Sequence, residues 1–337
     1  MKHVEACIDA LLESATVESI AVKVGFRDDV ALELYRGGTT PDTLFDMASV
    51  SKIIATTSLA LMALERGLIS LTDSVARYFP CPPDKEAITV FHLLTHTIGI
   101  GHKALNREDI TPENVAERIL EIPSDIPIGS DVRYSCPGFI LLGKILEKVF
   151  DAPLDALLQE KVCRPLGMTH TGYLPKDKGL AVNSNLTEEL RGTVNDYNCR
   201  HLCGVAGNAG VFSTMGDMTR FARMLLDGGR PILDAALFGE ARKNHTVGMS
   251  ESRGLGYLYV DERYKPAGGL FPVGSLGHCG HTGQSVFVHP ESGLYAIILS
   301  DATVSTVRKY GREKYAEVVA MRAAIHAAVK QDLLGTV

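Results

Sequence analysis

Two parts of the chain, one near each end, have patterns of hydrophobic and polar residues that are typical of strands. Residues 20–34 contain two alternating segments on either side of Asp28-Asp29, which predicts a β-hairpin with its turn at that pair. Residues 285–289 and 294–300 have strand patterns on either side of a Pro-Glu-Ser-Gly turn at 290–293, which predicts a second hairpin. Because strands come from both ends, the pattern predicts one antiparallel sheet to which both ends contribute.

The hydrophobic spacing changes to three and four residues at the termini and through the middle of the chain. Residues 2–14 and 312–333 each carry a single apolar stripe, which predicts amphipathic helices that cover the sheet. In the middle, helical segments such as 137–149 and 218–226 are separated by connections rich in Pro and Gly. The predicted fold class is therefore α+β: an antiparallel sheet flanked by terminal helices, with an inserted all-helical lobe.

One predicted helix is apolar on almost every side. It covers residues 49–66, and no charged residue occurs from Ile53 to Leu64. A helix of this kind is buried between layers of structure rather than lying on the surface. Ser49 is expected to cap its start, and Gly67 stands where a C-terminal cap glycine belongs.

Composition narrows the class of protein. The 337 residues carry a net charge of −6, with 45% hydrophobic and 22% charged residues, as in soluble globular proteins. The chain has no block of basic residues that could bind along a phosphate backbone, so no nucleic-acid partner is expected. The N-terminal segment contains Glu5, Asp9 and Glu13, unlike a secretory signal, and residues 53–64 are too short to span a bilayer. We therefore expect a cytoplasmic protein without a membrane partner, whose seven cysteines are free thiols.

The first candidate for chemistry is Ser49-Val50-Ser51-Lys52 at the start of the apolar helix. Residues three apart share a helix face, so Lys52 lies beside the Ser49 hydroxyl. A serine becomes a nucleophile when a neighbouring base takes its proton. Burial disfavours the charged form of a lysine, so Lys52 is predicted to act as that base or to pass the proton on.

Two further segments belong with this pair. Tyr134-Ser135-Cys136 precedes a predicted helix, and a tyrosine at such a junction can transfer protons. His281-Thr282-Gly283 precedes the strand at 285–289, where small residues let a substrate approach the backbone. The same tripeptide occurs at 170–172, but no clear strand pattern follows it, so the later copy is preferred.

Two groups of potential metal ligands are interpreted as structural. His92 and His96 have the spacing of a zinc-binding helix but lack its glutamate. Cys199, His201 and Cys203 lie close together but lack a distant second pair of ligands. We therefore expect no metal.

Together the three catalytic segments resemble, in chain order, the serine–lysine, tyrosine and third-strand motifs of class C β-lactamases and penicillin-binding proteins. Related esterases, DD-peptidases and D-amino-peptidases share this pattern. The resemblance covers roughly residues 18–305 and includes five further segments: 44–49, 68–73, 87–97, 165–168 and 206–214.

The resemblance implies a β-lactamase/transpeptidase-like fold. Its sheet lobe with terminal helices would be formed by residues 1–72 and 245–337, and its mainly helical lobe by residues 73–244. The active site would lie in the cleft between the lobes. The chemistry of the family requires no cofactor.

The resemblance also implies a role for each site residue. Ser49 would form the acyl-enzyme, Lys52 and Tyr134 would transfer its proton, and His281 would position the substrate or support Tyr134. The backbone N–H groups of Ser49 and Gln284 would form the oxyanion hole. Three further residues would contact the substrate: Cys136, Thr282 and Gly283.

The chain departs from the family pattern at two positions. Cys136 stands where the family usually has asparagine, and His281 stands where lysine is common. A thiol and a mostly neutral imidazole hold the amide and carboxylate of a β-lactam less firmly. We therefore expect a serine hydrolase that prefers short esters to β-lactams. The alternatives are a weak β-lactamase, a DD- or D-amino-peptidase, and a non-catalytic penicillin- or peptide-binding protein.

Overall fold

The computed structural model describes residues 1–105, 107–311 and 316–335. The strands are β1 Ile20–Phe26, β2 Asp29–Arg36, β3 Phe45–Asp46, β4 Gly172–Tyr173, β5 Val211–Ser213, β6 Leu258–Tyr259, β7 Leu276–Cys279, β8 Ser285–His289 and β9 Leu294–Ser300. The α-helices are α1 Lys2–Glu13, α2 Ser58–Glu65, α3 Val90–Thr95, α4 Val115–Leu120, α5 Cys136–Phe150, α6 Leu154–Leu158, α7 Arg164–Leu166, α8 Tyr197–His201, α9 Met215–Leu226, α10 Ala235–Ala241, α11 Ala302–Tyr310 and α12 Ala316–Leu334.

The main sheet has six antiparallel strands in the order β2-β1-β9-β8-β7-β6. The first and last strands of the chain are neighbours, with Ile20 opposite Ser300 and Phe26 opposite Leu294. The predicted antiparallel sheet built from both ends is thus confirmed, as is the second hairpin. The turn predicted for the first hairpin, at Asp28-Asp29, is one residue later than the observed turn. The observed turn lies at Arg27-Asp28, where Arg27 adopts a positive φ of 51°.

Both faces of this sheet are covered. On one face, α1 and α12 pack against alternate residues of β1 and β9, such as Val22 and Ile298. On the other face, Ile297 and its alternate neighbours join the larger core, which contains the buried helices. Strand β9 is therefore buried along its whole length, and its sequence is a continuous apolar run rather than an alternating one.

The apolar helix over Ala48–Glu65, which we call the serine helix, has an irregular start. A 3-10 turn at Ala48–Val50 leads into a π-helical turn at Lys52–Thr57 before regular α2 begins. Ser49 lies inside the first turn and caps no backbone group, so the predicted capping role is wrong. The carboxylate of Asp46 instead accepts a hydrogen bond from the Ala48 N–H at 2.9 Å.

The serine helix is long and apolar enough to cross a membrane, yet 83% of it is buried inside the protein. The core helix of a soluble protein has this property. Gly67 follows the helix with a φ of +66°, as predicted for its C-terminal cap.

Several short elements were not predicted from the sequence. Strands β3, β5 and β4 form a small three-stranded sheet beside the start of the serine helix. Strands of two or three residues are too short to show an alternating pattern, so only tertiary contacts define them. The predicted last helix is observed as α12, and its predicted first four residues, 312–315, lie outside the described part of the chain.

The burial of β9 on both faces gives a stability prediction. Ile297→Ala and Ile298→Ala should each lower the free energy of unfolding by about 2–5 kcal/mol, because each leaves a cavity in a packed core. Denaturant unfolding measures the change. Val30→Ala, at a side chain 47% exposed, should change it by less than about 0.5 kcal/mol. If one isoleucine variant behaved like the Val30 control, that face of the sheet would not be covered.

Candidate active site

Three predicted residues meet around one oxygen atom. Lys52 Nζ lies 3.1 Å from Ser49 Oγ, and the Tyr134 hydroxyl donates to the same oxygen at 2.7 Å. Lys52 reaches Ser49 because the two residues are three apart on the serine helix. Tyr134 comes from a distant part of the chain, just before α5. The structure thus places both groups where they can exchange a proton with the serine.

The backbone before Ser49 is held in an uncommon conformation. Ala48 has a φ of +45°, in the left-handed region that residues other than glycine rarely adopt. Asp46 stabilises this turn: one carboxylate oxygen accepts from the Ala48 N–H and the other from the Asn195 N–H at 2.7 Å. Burial raises the pKa of Asp46 to about 6, although those backbone hydrogen bonds oppose the rise.

Lys52 is fully buried, and its ammonium group has three partners. Besides Ser49, Nζ donates to the Asn208 backbone carbonyl at 2.9 Å and lies 3.6 Å from Cys136 Sγ. The carbonyl is in reach because Gly207 packs directly on α5, where a Cβ atom would lie 2.1 Å from the Phe139 oxygen. Only a residue without a side chain fits there.

The ionisation of Lys52 differs from the expectation based on burial alone. Burial lowers its pKa, but the neighbouring Cys136 and Tyr134 raise it more, so the pKa lies above its ordinary value. Burial likewise raises the pKa of Tyr134, and Lys52 only partly offsets the effect. In the resting site, Lys52 is therefore an ammonium and Tyr134 a neutral phenol. The role of Lys52 as the base or as a carrier of the proton stays a prediction.

Tyr134 is positioned by the start of α5 and by a histidine that sequence analysis had assigned to structure. Ser135 caps α5 by accepting from the Gly138 N–H at 3.0 Å. His96 Nδ1 accepts from the Ser135 N–H at 3.0 Å, and its ring lies between Tyr134 and Phe139, with centroids 4.7 and 4.8 Å away. Burial lowers the pKa of His96 well below its ordinary value, so the ring is neutral.

Cys136 occupies the third position of the tyrosine segment and faces the lysine. Its thiol is buried, and its interactions in the site are with Lys52 and His102. Burial raises the pKa of the thiol, but the Lys52 ammonium and a hydrogen bond with His102 outweigh it, so the pKa lies below its ordinary value. The substrate contact predicted for Cys136 stays a prediction.

The segment His281-Thr282-Gly283 forms the turn between β7 and β8. The Thr282 hydroxyl donates to the Asp46 backbone carbonyl at 3.0 Å, which joins this turn to the start of the serine helix. Thr282 and Gly283 are buried, whereas His281 is exposed and lines the active-site cavity. Burial of part of the ring lowers the pKa of His281, which is therefore neutral at pH 7.

Residues from the end of the chain fix the position of this turn. Arg322 of α12 donates to the Gly280 carbonyl at 2.8 Å, and the Thr303 hydroxyl of α11 donates to the His281 carbonyl. The other His-Thr-Gly copy, at 170–172, does not line the active-site cavity. The Thr171 hydroxyl donates there to the Asp217 carboxylate at 2.9 Å, which is a structural contact.

A cavity of about 440 Å³ opens above Ser49, and its walls include residues that sequence analysis missed. Arg253, His278 and Arg322 line it together with Tyr134 and His281. Arg253 lies over the Tyr134 ring, 5.6 Å from its centroid. Neither arginine belongs to a recognisable motif, so only the three-dimensional structure brings them to the site.

No group of three metal-ligating side chains occurs among the residues that the structure describes. Of the candidates considered from the sequence, His96 contacts Ser135 as described above. Cys199 donates to the Ala209 carbonyl at 3.2 Å, and Cys203 is exposed.

A serine hydroxyl between a lysine and a tyrosine, at the base of a cavity beside an antiparallel sheet, defines a serine hydrolase. The chain belongs to the β-lactamase family, since the family model described as "Beta-lactamase" matches residues 4–320. The predicted family and fold are confirmed. The protein is accordingly a serine hydrolase that acts through an acyl-enzyme.

The similar proteins include both peptidase-like and esterase-like members. A putative D-alanyl-D-alanine carboxypeptidase of Escherichia coli K12 is 29% identical over 309 residues, which cover 80% of this chain and 71% of the relative. The structure of EstCE1, a hydrolase with promiscuous acyltransferase activity, has a TM-score of 0.77 at 21% identity and 98% coverage of both chains. The octameric penicillin-binding protein homologue from Pyrococcus abyssi has a TM-score of 0.74 at 21% identity, covering 99% of this chain and 77% of its own.

The shared contacts of Lys52 and Tyr134 on Ser49 predict that the two act as one unit. Lys52→Ala and Tyr134→Phe should each lower kcat/KM for an ester by about 10²-fold or more, the usual scale of general acid–base help. The double variant should be little worse than the poorer single variant. Tyr197→Phe, at a tyrosine 59% exposed, is the matched control and should leave kcat/KM unchanged. Multiplicative losses in the double variant would show independent roles.

Proposed function

We propose that the protein hydrolyses small esters or amides through an acyl-enzyme formed on Ser49. The observation that carries this proposal is the pair of contacts on one oxygen atom, from Lys52 Nζ at 3.1 Å and the Tyr134 hydroxyl at 2.7 Å. A serine attacks a carbonyl efficiently only when a neighbouring group takes its proton during attack.

In the proposed reaction, Ser49 Oγ bonds to the carbonyl carbon while its proton passes to Lys52, which, as an ammonium, gives a proton onward to an adjacent acceptor. The backbone N–H groups of Ser49 and Gln284 stabilise the negative oxygen, each donor contributing about 3 kcal/mol. When the carbonyl re-forms, the Lys52–Tyr134 pair returns the proton to the leaving group. Water then attacks the acyl-enzyme by the same route and releases Ser49. These steps need no cofactor.

The two departures from the family pattern favour short esters over β-lactams. A β-lactam has a side-chain amide and a carboxylate that must be held while the ring opens. The buried thiol of Cys136 forms weaker hydrogen bonds with the amide than an asparagine would, and the neutral ring of His281 attracts a carboxylate weakly. A small ester depends mainly on the nucleophile and the oxyanion hole.

The seven free thiols favour a cytoplasmic location.

A carboxypeptidase activity is a second candidate, and Arg253 is the observation that favours it. Its Nε and Nη2 pair with Glu251, but Nη1 is buried and has no hydrogen-bond partner in the described part of the chain. Arg322 lines the same cavity. A substrate carboxylate in this cavity would be attracted by the positive charges of Arg253 and Arg322. The C-terminus of a D-alanyl-D-alanine peptide provides such a group.

Covalent labelling tests the proposed nucleophile. A fluorophosphonate probe should add to the peptide that contains Ser49, and Ser49→Ala should abolish the adduct while Ser51→Ala retains it. Mass spectrometry locates the adduct. An adduct on another serine would overturn the assignment. Labelling of Ser49 without turnover of p-nitrophenyl butyrate would instead favour a non-catalytic binding protein.

Substrate preference is tested by measuring kcat/KM for p-nitrophenyl acetate, nitrocefin and a D-alanyl-D-alanine peptide on the same preparation. The ester should give the highest value. Arg253→Met should raise KM by about tenfold for the two substrates with a carboxylate, the equivalent of one charged hydrogen bond, and leave the ester unaffected. Arg263→Met changes an exposed arginine and serves as the control. Equal effects on all three substrates would rule out a carboxylate-binding role for Arg253.

A further inference from the structure

The thiol of Cys136 completes a continuous line of proton-carrying atoms that begins at the serine. Ser49 Oγ lies 3.1 Å from Lys52 Nζ, and Lys52 Nζ lies 3.6 Å from Cys136 Sγ. His102 is hydrogen-bonded to the thiol and is exposed to solvent. The line therefore runs from the nucleophile, through the buried lysine and thiol, to the protein surface.

The resting protonation states leave the lysine–tyrosine pair without a vacant site for a proton. An ammonium group has no lone pair, and a neutral phenol is a very weak base. An asparagine in place of Cys136 could not accept a proton either. A thiol can, because its anion is stable near neutral pH when cations lie beside it. Lys52 is such a cation, and a hydrogen bond with His102 lowers the thiol pKa further.

The transfer of one proton from Ser49 through Lys52 to Cys136 is chemically balanced. We propose that Cys136 is a positioning residue that stores the serine proton: its thiolate receives a proton from Lys52 as Lys52 receives one from Ser49. This inference rests on the proposed role of Ser49 as nucleophile. The oxygen–hydrogen bond of Ser49 breaks as the bond from Oγ to the carbonyl carbon forms, and a sulfur–hydrogen bond forms on Cys136. Lys52 begins and ends as an ammonium.

The return of the proton follows the reverse path. When the bond to the leaving group breaks, Tyr134 gives its hydroxyl proton to the leaving oxygen or nitrogen and regains one from Lys52. Lys52 in turn takes the proton from Cys136, which restores the thiolate. Deacylation by water repeats the same exchange. No oxidant, reductant or co-reactant is consumed.

The charged and titratable groups that face Cys136 come from four elements. Lys52 on the serine helix and His102 on the loop after α3 both favour the thiolate. Asp196, which precedes α8, opposes it, and the neighbouring phenol of Tyr134 is neutral. A hydrogen bond with Cys136 raises the pKa of His102, so the imidazolium and the thiolate stabilise each other. Together, Lys52 and His102 outweigh burial and Asp196, so the pKa of the thiol lies below its ordinary value.

Two substitutions at position 136 separate a proton-storing role from a packing role. Cys136→Ser keeps the size of the side chain but replaces the thiol with a hydroxyl that does not ionise near neutral pH. Cys136→Asp is larger but restores an anion beside Lys52. For p-nitrophenyl acetate at pH 7, the serine variant should lose about 10²-fold in kcat/KM, and the aspartate variant should recover at least about tenfold of that loss. An active serine variant with an inactive aspartate variant would overturn the proposal.

A second measurement can be interpreted even if every variant at position 136 is inactive. The ultraviolet absorbance of thiolates, followed against pH, should show one group ionising below the ordinary thiol pKa of 9.0, and Cys136→Ser should remove that step. The acidic limb of the kcat/KM profile should have the same midpoint. Since His102 favours the thiolate, His102→Gln should move both midpoints to higher pH together. A kinetic limb that stays in place while the absorbance step moves would overturn the proposal.

Cys163 provides the matched control for both measurements. It is buried like Cys136, but burial raises its pKa to about 12, and its thiol donates to the Thr171 carbonyl away from Ser49. Cys163→Ser should leave the absorbance step and the kinetic limb unchanged. If the probe labels Ser49 but the thiol and kinetic midpoints differ, only the role of Cys136 fails. If Ser49 is not labelled, the proposed function itself fails, whatever the thiol does.

Discussion

The buried ammonium of Lys52 is the constraint on which the rest of the site depends. A charge removed from water is tolerated only when acceptors surround it, and here they are the Ser49 hydroxyl, the Asn208 carbonyl and the Cys136 sulfur. Each acceptor comes from a different part of the chain. Placing them within reach of one nitrogen therefore requires the serine helix, the start of α5 and the loop at 206–208 to pack together.

That packing accounts for the unusual backbone near the nucleophile. The serine helix begins with a 3-10 turn and a π-helical turn, and its first residue, Ala48, has a left-handed conformation. Such local strain persists only when surrounding contacts fix it. Asp46 provides them: its carboxylate binds two backbone N–H groups, and its carbonyl accepts from Thr282. The same residue thus joins the nucleophile to the turn that faces it across the cavity.

The parts that sequence analysis found are those with a local pattern. The pairing of both chain ends in one sheet followed from alternation at 20–34 and from the strand–turn–strand pattern at 285–300, and Lys52 was placed beside Ser49 by helical spacing alone. Tyr134 and His281 were found through the family resemblance. Arg253, His96 and the contact between Cys136 and Lys52 were not found, because they depend on packing between segments far apart in the chain. The effect of Cys136 and Tyr134 on the pKa of Lys52 was not found for the same reason.

The pairing of β1 with β9 has a consequence for biosynthesis. Ile20 is opposite Ser300, so strand β1 leaves the ribosome long before the central neighbour that completes its pairing. The turn that carries His281 is also fixed late, by Arg322 on the last helix. Contacts between residues so distant in sequence close large loops and form slowly. Nascent chains that lack the C-terminal region expose an unpaired apolar strand edge, a surface that chaperones bind, and they contain the nucleophile without a finished site around it.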